Sequence, residues 1–508
     1  MTSSQLRLDV PLREPGPGER EVPAKVARLK KPNRDQLVMS VVDLERLIPA
    51  EHLARAIDSL VKELPDTELL ASNKSFEGQA GRPRTDPRML VAIWVYAYSQ
   101  GMGEAEAIAE EMKYEPALRW LAGNQTLSAR TLSGFRVAQD KAVRELFASL
   151  LGILSELELV DLKQVTLDGT KIKASAGAGS FRREKALREH IAEAELAIQQ
   201  LEQPETAQAI SAQRLAARQR EAVARRQRLQ TAATELAELQ KGKSAAEQAE
   251  VRVSLTDPEA RRMKEGNGGI SPAYNMQLTT DVKHTIIVDV AVTQQGFDQQ
   301  QLVPALGRLQ QLPRIPGDLI VDGGYITAAS IEAAVGVVNL IGPQSDPAAR
   351  AAAMGAKSLQ QAGIAPEYAG SAFRIIGEQM QCPAGKMMTK SETETYTRYA
   401  AKAADCRACA HRPQCCPKSS HRTVKQNKPN PVVLDFAARM KEEANVAIFG
   451  KRGPVAEFPN AWIKDKHQLR QFHVRGLIKV TTEAWWSALT YNIQQWFRLS
   501  WRPGLANA

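Results

Sequence analysis

Two short runs of apolar, β-branched residues each end in an aspartate followed by a glycine: VTLDGTKIKA, with Asp168, and LIVDGGY, with Asp322. Runs of this kind bury as strands, so their ends are rigidly aimed and partly desolvated. Taken singly, an Asp-Gly at a strand end is more often a turn, because both residues tolerate turn conformations. A third acidic motif, AEFPNAWIK, carries Glu457 with Lys464 seven residues on. Two helical turns separate that pair and return it to one face. The chain therefore has to build a sheet carrying two aspartates and a helix carrying a glutamate.

At 508 residues the sequence exceeds one ordinary core, and two or three domains are expected. The net charge of +10 points to a polyanionic partner, since clustered Lys and Arg gain affinity by releasing counterions from phosphates. No apolar run reaches the 18 or so residues of a membrane span, and MTSSQLRLDVPLREPGPGER lacks the apolar centre of a signal peptide. A cytoplasmic protein without a membrane partner is expected, and its five cysteines do not indicate disulfides.

Residues 1–36 read as a flexible basic leader, rich in Pro, Gly, Arg and Lys. Residues 37–155 read as an all-helical, DNA-binding-like domain of helix-turn-helix character, with apolar residues recurring at three and four. The catalytic core is expected over 156–345 and 430–500, as a mixed α/β sheet. Residues 181–248 interrupt it with Ala, Glu, Gln and Arg on a leucine periodicity, an inserted helical hairpin arm. Within the core, Asp298 is expected to cap a helix opening at Gln299. Pro459 is expected to start the helix bearing Glu457, setting that carboxylate at the positive end of the helix dipole. The tryptophans at 485, 486 and 496 follow a helix stripe and are expected to pack as core.

A Cys-rich insertion occupies 375–425, where Cys382 precedes Cys406, Cys409, Cys415 and Cys416. Thiolates bind Zn²⁺ tetrahedrally and can organise a loop-rich region lacking its own core. Cys382, Cys406, Cys409 and Cys415 are the expected zinc ligands, with His411 and Cys416 as substitutes.

Three carboxylates in a basic chain suit metal-assisted phosphoryl transfer, in which two divalent ions activate the attacking oxygen and stabilise the leaving one. AspGlyThrLys after one strand, AspGlyGlyTyr after a later one, Arg452 and Gly453 ahead of Glu457, Lys464, then ArgGlyLeu(x2)Val and TyrAsn resemble the DDE transposases of bacterial insertion sequences. The likeness is closer to the branch whose N-terminal helices read GlyArgPro, AspProArg and GlyPheArg, and it spans about residues 37–498. It implies a ribonuclease-H-like core, with Asp168, Asp322 and Glu457 binding two Mg²⁺ or Mn²⁺ ions. Tyr325, Arg452 and Lys464 match accessory positions, while Phe449 stands where the family has a tyrosine. Lys171, Arg470 and Arg475 join them as expected DNA contacts.

Glu442, Glu443 and Glu483 compete for the third carboxylate, but only Glu457 has a lysine two turns on. The resemblance further implies cleavage of double-stranded DNA at transposon terminal repeats, strand transfer to target DNA, and a homodimer acting at the nucleoid. The alternatives are an inactive transposase-derived DNA-binding protein and a metal-dependent nuclease without strand transfer.

Overall fold

The computed structural model describes residues 41–71, 84–203, 211–266, 268–343, 357–428 and 430–501. The leader at 1–36 and the GlyArgPro at 81–83 lie outside the described residues.

Among the described residues seven α-helices precede the sheet: α1 Leu53–Glu63, α2 Thr67–Leu70, α3 Pro87–Ser99, α4 Ala105–Glu111, α5 Pro116–Leu121, α6 Ala129–Ala138 and α7 Asp140–Glu156. Helix α3 begins where Asp86 accepts a hydrogen bond from the Arg88 N–H and Pro87 supplies a helix-ready φ. All of its residues but Arg88 and Met89 are buried, as befits a helix apolar around its whole circumference. Ser128 caps α6 in the same way, accepting from the Thr131 N–H.

Strand β1, Gln164–Lys173, opens the sheet. The chain then departs into the arm: β2 Phe181–Arg182, α8 Glu184–Glu202, α9 Ala212–Gln240, α10 Ala245–Glu250 and β3 Val253–Ser254. Pairing of β2 with β3 closes the arm at its root, and Leu187, Ala194, Leu229, Ala232, Leu236 and Val253 give it a small core of its own. The sheet resumes with β4 Arg261–Lys264, β5 Ile270–Asp281, β6 Ile287–Thr293, α11 Leu302–Leu309, β7 Asp318–Ile320, α12 Ala328–Ala334 and β8 Asn339–Ile341.

In space β5 lies between β1 on one edge and β4 and β6 on the other, while β7 and β8 continue beyond β1. The β1, β5 and β6 ladders are antiparallel; β1, β7 and β8 run parallel. Because β7 pairs with β1 only as far as Thr166, the rest of β1 leaves the parallel half and continues on β5 alone.

The 375–425 stretch differs from its expected loop-rich form. It folds as an antiparallel sheet of β9 Arg374–Ile376, β10 Gln379–Gln381, β11 Met387–Glu392, β12 Tyr396–Ala400 and β13 Thr423–Asn427, with short helices α13 Ala403–Arg407 and α14 Arg412–Cys415 before the last strand. Phe373, Met380, Met388, Tyr399, Ala401 and Val424 form its core. The strand alternation that buries Tyr399 and Val424 on one face supplies a folding force that cysteine spacing did not reveal.

Among the described residues the last four α-helices are α15 Pro431–Arg439, α16 Glu443–Phe449, α17 Arg452–Asp465 and α18 Leu477–Trp496. Helix α18 packs against α3, α6 and α7 as well as against β6 and α17. One apolar core therefore runs from the first helices through the sheet, with Trp485, Trp486 and Trp496 buried inside it. The Asn492 side chain fixes α18 to β6 by receiving the Ile287 N–H at 3.0 Å and donating to the Ile287 carbonyl at 2.8 Å. On the opposite side Glu483, fully buried, accepts from Tyr98 Oη at 3.2 Å and from the His473 N–H at 3.0 Å, and pairs with Arg136 at 3.4 Å. Glu483 is thus committed to joining the helices.

Candidate active site

Asp168 lies just past the point where β1 parts from β7, and Asp322 follows β7 by two residues. The parallel register aligns Thr166 with Ile320, so two residues further on the two aspartates come side by side on one face. Gly169 allows a close approach beneath them. A Cβ there would stand 2.3 Å from Gln277 Nε2 and 2.6 Å from Asp298 Oδ1.

Helix α17 crosses over this edge. Arg452, at its first position, places Nη2 2.7 Å from Asp168 Oδ1 and 3.5 Å from Asp322 Oδ2. Two turns on, Asn460 Nδ2 donates to Asp168 Oδ2 at 2.9 Å and to the Ala456 carbonyl at 3.1 Å. Arg452, Ala456 and Asn460 thus form the stripe facing β1. Asp322 Oδ1 accepts from the Gly324 N–H at 2.7 Å.

The helix does not begin at Pro459, which sits inside it. Pro459 lacks the N–H that would reach the Val455 carbonyl, yet Arg452 and Asn460 hold the segment to the sheet on either side of it. Glu457 is accordingly mid-helix, away from the dipole's positive end, and exposed. It stands about 60° around the helix from Asn460, on the shoulder it shares with Lys464. Among the described residues no three Asp, Glu, His or Cys side chains converge as a metal-holding group, so the structure joins Asp168 to Asp322 but not to Glu457.

Asp298 also departs from expectation. Helix α11 starts at Leu302, and the Asp298 carboxylate instead accepts from Asn275 Nδ2 at 2.9 Å and Gln277 Nε2 at 2.8 Å. It thereby adds a third negative charge near the pair. Burial pushes the Asp168 carboxyl up to about 6; Arg452 opposes the rise, and Asp322 and Asp298 add to it. Tyr325 is fully buried, donates to Gln277 Oε1 at 2.5 Å, and is held protonated by burial and then by Asp298, Asp168 and Asp322. It shapes the floor of the site.

Lys464 is half-buried, and burial followed by the Arg470 charge lowers its pKa. Lys171 Nζ donates to the Lys264 carbonyl at 2.6 Å, Arg470 pairs with Asp465, and Arg475 Nε donates to the Ser175 carbonyl at 2.9 Å. Asn460 was not singled out by the sequence reading, and Asp298 was given only a helix-capping role. The i, i+4, i+8 stripe through Arg452 and Asn460 was a signal for the first; nothing local marks the second.

Two carboxylates already converge on one positively charged nitrogen, and that geometry fits a divalent cation at the same place. The cysteines fit a metal less well. Cys382, Cys406 and Cys415 pack against the small sheet's own core, Cys416 is buried and close to Cys406, and no metal-holding group forms among the described residues.

Residues 42–138 match the family model described as a transposase domain (DUF772), and residues 381–497 match the model described as a transposase DDE domain. Together the two matches support a DDE transposase. The second match covers α17, with Arg452, Glu457, Asn460 and Lys464, but neither aspartate. Transposases of this kind are DNA-processing enzymes that bind DNA. No curated protein matches the chain. Among solved structures, the cryo-EM structure of a piggyBac transposase synaptic complex with hairpin DNA aligns over 90% of this chain and 75% of its own, at 6% identity and a TM-score of 0.31. That likeness is too loose to bear on the fold. Among the described residues no helix is long and apolar enough to cross a membrane.

Proposed function

We propose that the chain cleaves DNA phosphodiesters at transposon ends and transfers the freed 3′ ends to target DNA, using divalent ions held first by Asp168 and Asp322. The observation that carries this reading is the convergence of one oxygen from each aspartate on Arg452 Nη2, at the edge where β1 leaves β7. A sheet ordered β6, β5, β1, β7, β8, antiparallel across the first three strands and parallel across the last three, supports a ribonuclease-H-like core.

Bound Mg²⁺ or Mn²⁺ ions would supply an activated oxygen nucleophile and neutralise the leaving one. The chain's own residues prepare for them. Asn460 and the Gly324 N–H fix one oxygen of each aspartate, leaving the other oxygen aimed into the site. Tyr325 and Gln277, hydrogen-bonded to each other, form the floor. Glu457, on the exposed shoulder beside Asn460, is the third carboxylate of this reading and joins by a side-chain rotation. Lys464 offers a phosphate contact from the same shoulder. Zinc is assigned no role, because the cysteine module has its own core.

The test is a metal-titrated cleavage assay on terminal-repeat DNA. Asp168→Asn, Asp322→Asn and Glu457→Gln should each abolish cleavage while duplex binding persists. Full activity in any one of them removes that residue from the ligand set. Supplying target DNA and looking for joined products separates a transposase from a simple nuclease.

A further inference from the structure

We propose that Arg452 is an exchangeable counter-ion: a divalent cation displaces its guanidinium from Asp168 and Asp322, and the displaced guanidinium takes a DNA phosphate. The inference rests on the preceding reading of the two aspartates as cation ligands, and it adds a coupling between metal and DNA.

Each aspartate divides its oxygens in the same way. Asp168 gives Oδ2 to the neutral amide of Asn460 at 2.9 Å and Oδ1 to Arg452 at 2.7 Å. Asp322 gives Oδ1 to the backbone N–H of Gly324 at 2.7 Å and Oδ2 to Arg452 at 3.5 Å. Removing Arg452 therefore leaves both carboxylates anchored, with the two freed oxygens facing one point. A divalent cation needs those same oxygens, and two positive groups cannot share the place.

The guanidinium is also poorly satisfied where it lies. Its side chain is 16% exposed, and its Nε is buried with no hydrogen-bond partner. Arg452 is the first residue of α17 and stands at the joint where Gly450 and Lys451 separate it from the end of α16, so its long side chain can swing outward while the helix stays in place. A planar fork with five donors matches a phosphate's oxygens bidentately. The ion would thus free the group that grips the substrate, and a phosphate holding Arg452 would clear the site for the ion. Such linkage is reciprocal by thermodynamic necessity.

The experiment uses the full chain at constant ionic strength. Mn²⁺ affinity without DNA is read from the electron paramagnetic resonance of free Mn²⁺, and affinity for a terminal-repeat duplex is read by fluorescence anisotropy with and without Ca²⁺. In the natural protein Ca²⁺ should tighten duplex binding several-fold, within the roughly 5- to 150-fold span usual for coupled sites. Arg452→Gln should bind Mn²⁺ more tightly than the natural protein when DNA is absent, and its duplex affinity should no longer respond to Ca²⁺.

Arg452→Lys, which keeps the charge without the fork, should retain the competition with Mn²⁺ and lose most of the duplex gain. Weaker Mn²⁺ binding by a folded Arg452→Gln, or an undiminished Ca²⁺ effect on its duplex affinity, overturns the proposal. Asp168→Asn separates the two levels. If it binds Mn²⁺ like the natural protein, the carboxylate reading fails. If it loses Mn²⁺ and Arg452→Gln loses it too, Arg452 is scaffolding and only the exchange fails.

Discussion

Replacing Asp168 by Asn should stabilise the protein while destroying its chemistry. Burial, Asp322 and Asp298 raise the Asp168 pKa from 3.8 to about 6 against the pull of Arg452. That rise of about 2 units corresponds to about 3 kcal/mol of differential interaction. The native state holds the proton more tightly than the unfolded chain does. This group's contribution to stability is therefore complete below about pH 3.8 and is lost as the pH rises through about 6.

An asparagine carries no such penalty, so in chelator at pH 7.5 Asp168→Asn should exceed the natural protein by up to about 3 kcal/mol, and at least about 1 once Arg452 is left with Asp322 alone. At pH 4.5, where the natural carboxyl is already protonated, the gap should shrink to about a third. Urea unfolding followed by tryptophan fluorescence at the two pH values measures both quantities. A variant less stable than the natural protein at pH 7.5, or a gap that does not narrow at pH 4.5, would refute the view that Asp168 is held under electrostatic strain. Adding Mn²⁺ should reverse the ranking, since only the natural site gains from the ion.

Other perturbations read different parts of the structure. Asn460→Ala leaves one Asp168 oxygen without its donor, so the pH midpoint of Mn²⁺ binding should move above about 6, as Mn²⁺ titrations at stepped pH would show. Gly169→Ala forces a Cβ against Gln277 and Asp298; it should cost about 1–3 kcal/mol and slow cleavage far more than it weakens duplex binding, which paired rate and anisotropy measurements distinguish. Glu483→Ala strands the buried Arg136 guanidinium and should cost about 3–5 kcal/mol by urea unfolding, with Glu483→Gln milder. Met380→Ala should open the cysteine module to proteolysis, at a cost of about 2–5 kcal/mol, whereas a zinc chelator should leave its protease resistance unchanged.

Part of the sheet could be read from the chain because its strands are continuous β-branched runs: β1 and β7 fall on the runs that end at Asp168 and Asp322. The pairing of Asp168 with Asp322 was legible for the same reason, since strand ends are local signals, whereas Arg452 was named only through the family resemblance. Pro459 misled because a proline inside a helix looks like one at its start until the neighbours that hold it are known. Asn460 was hidden by its neutrality, and Asp298 by the fact that its partners, Asn275 and Gln277, lie on a different strand. The module's sheet was obscured by short strands whose alternation is broken by lysines and glutamates.

The placement of α18 bears on how the molecule is made. Helices α1 to α7 leave the ribosome first, but the apolar surfaces of α3, α6 and α7 are covered by residues 477–496, which are synthesised about 320 residues after α7 ends. At the usual 5–20 residues per second, the early helices wait tens of seconds for their last partner. Pulse proteolysis of stalled nascent chains would show them becoming resistant only once α18 has emerged. A chain cut short anywhere before that helix would leave its first helices unfinished, so whatever those helices do belongs only to molecules that already carry the whole sheet.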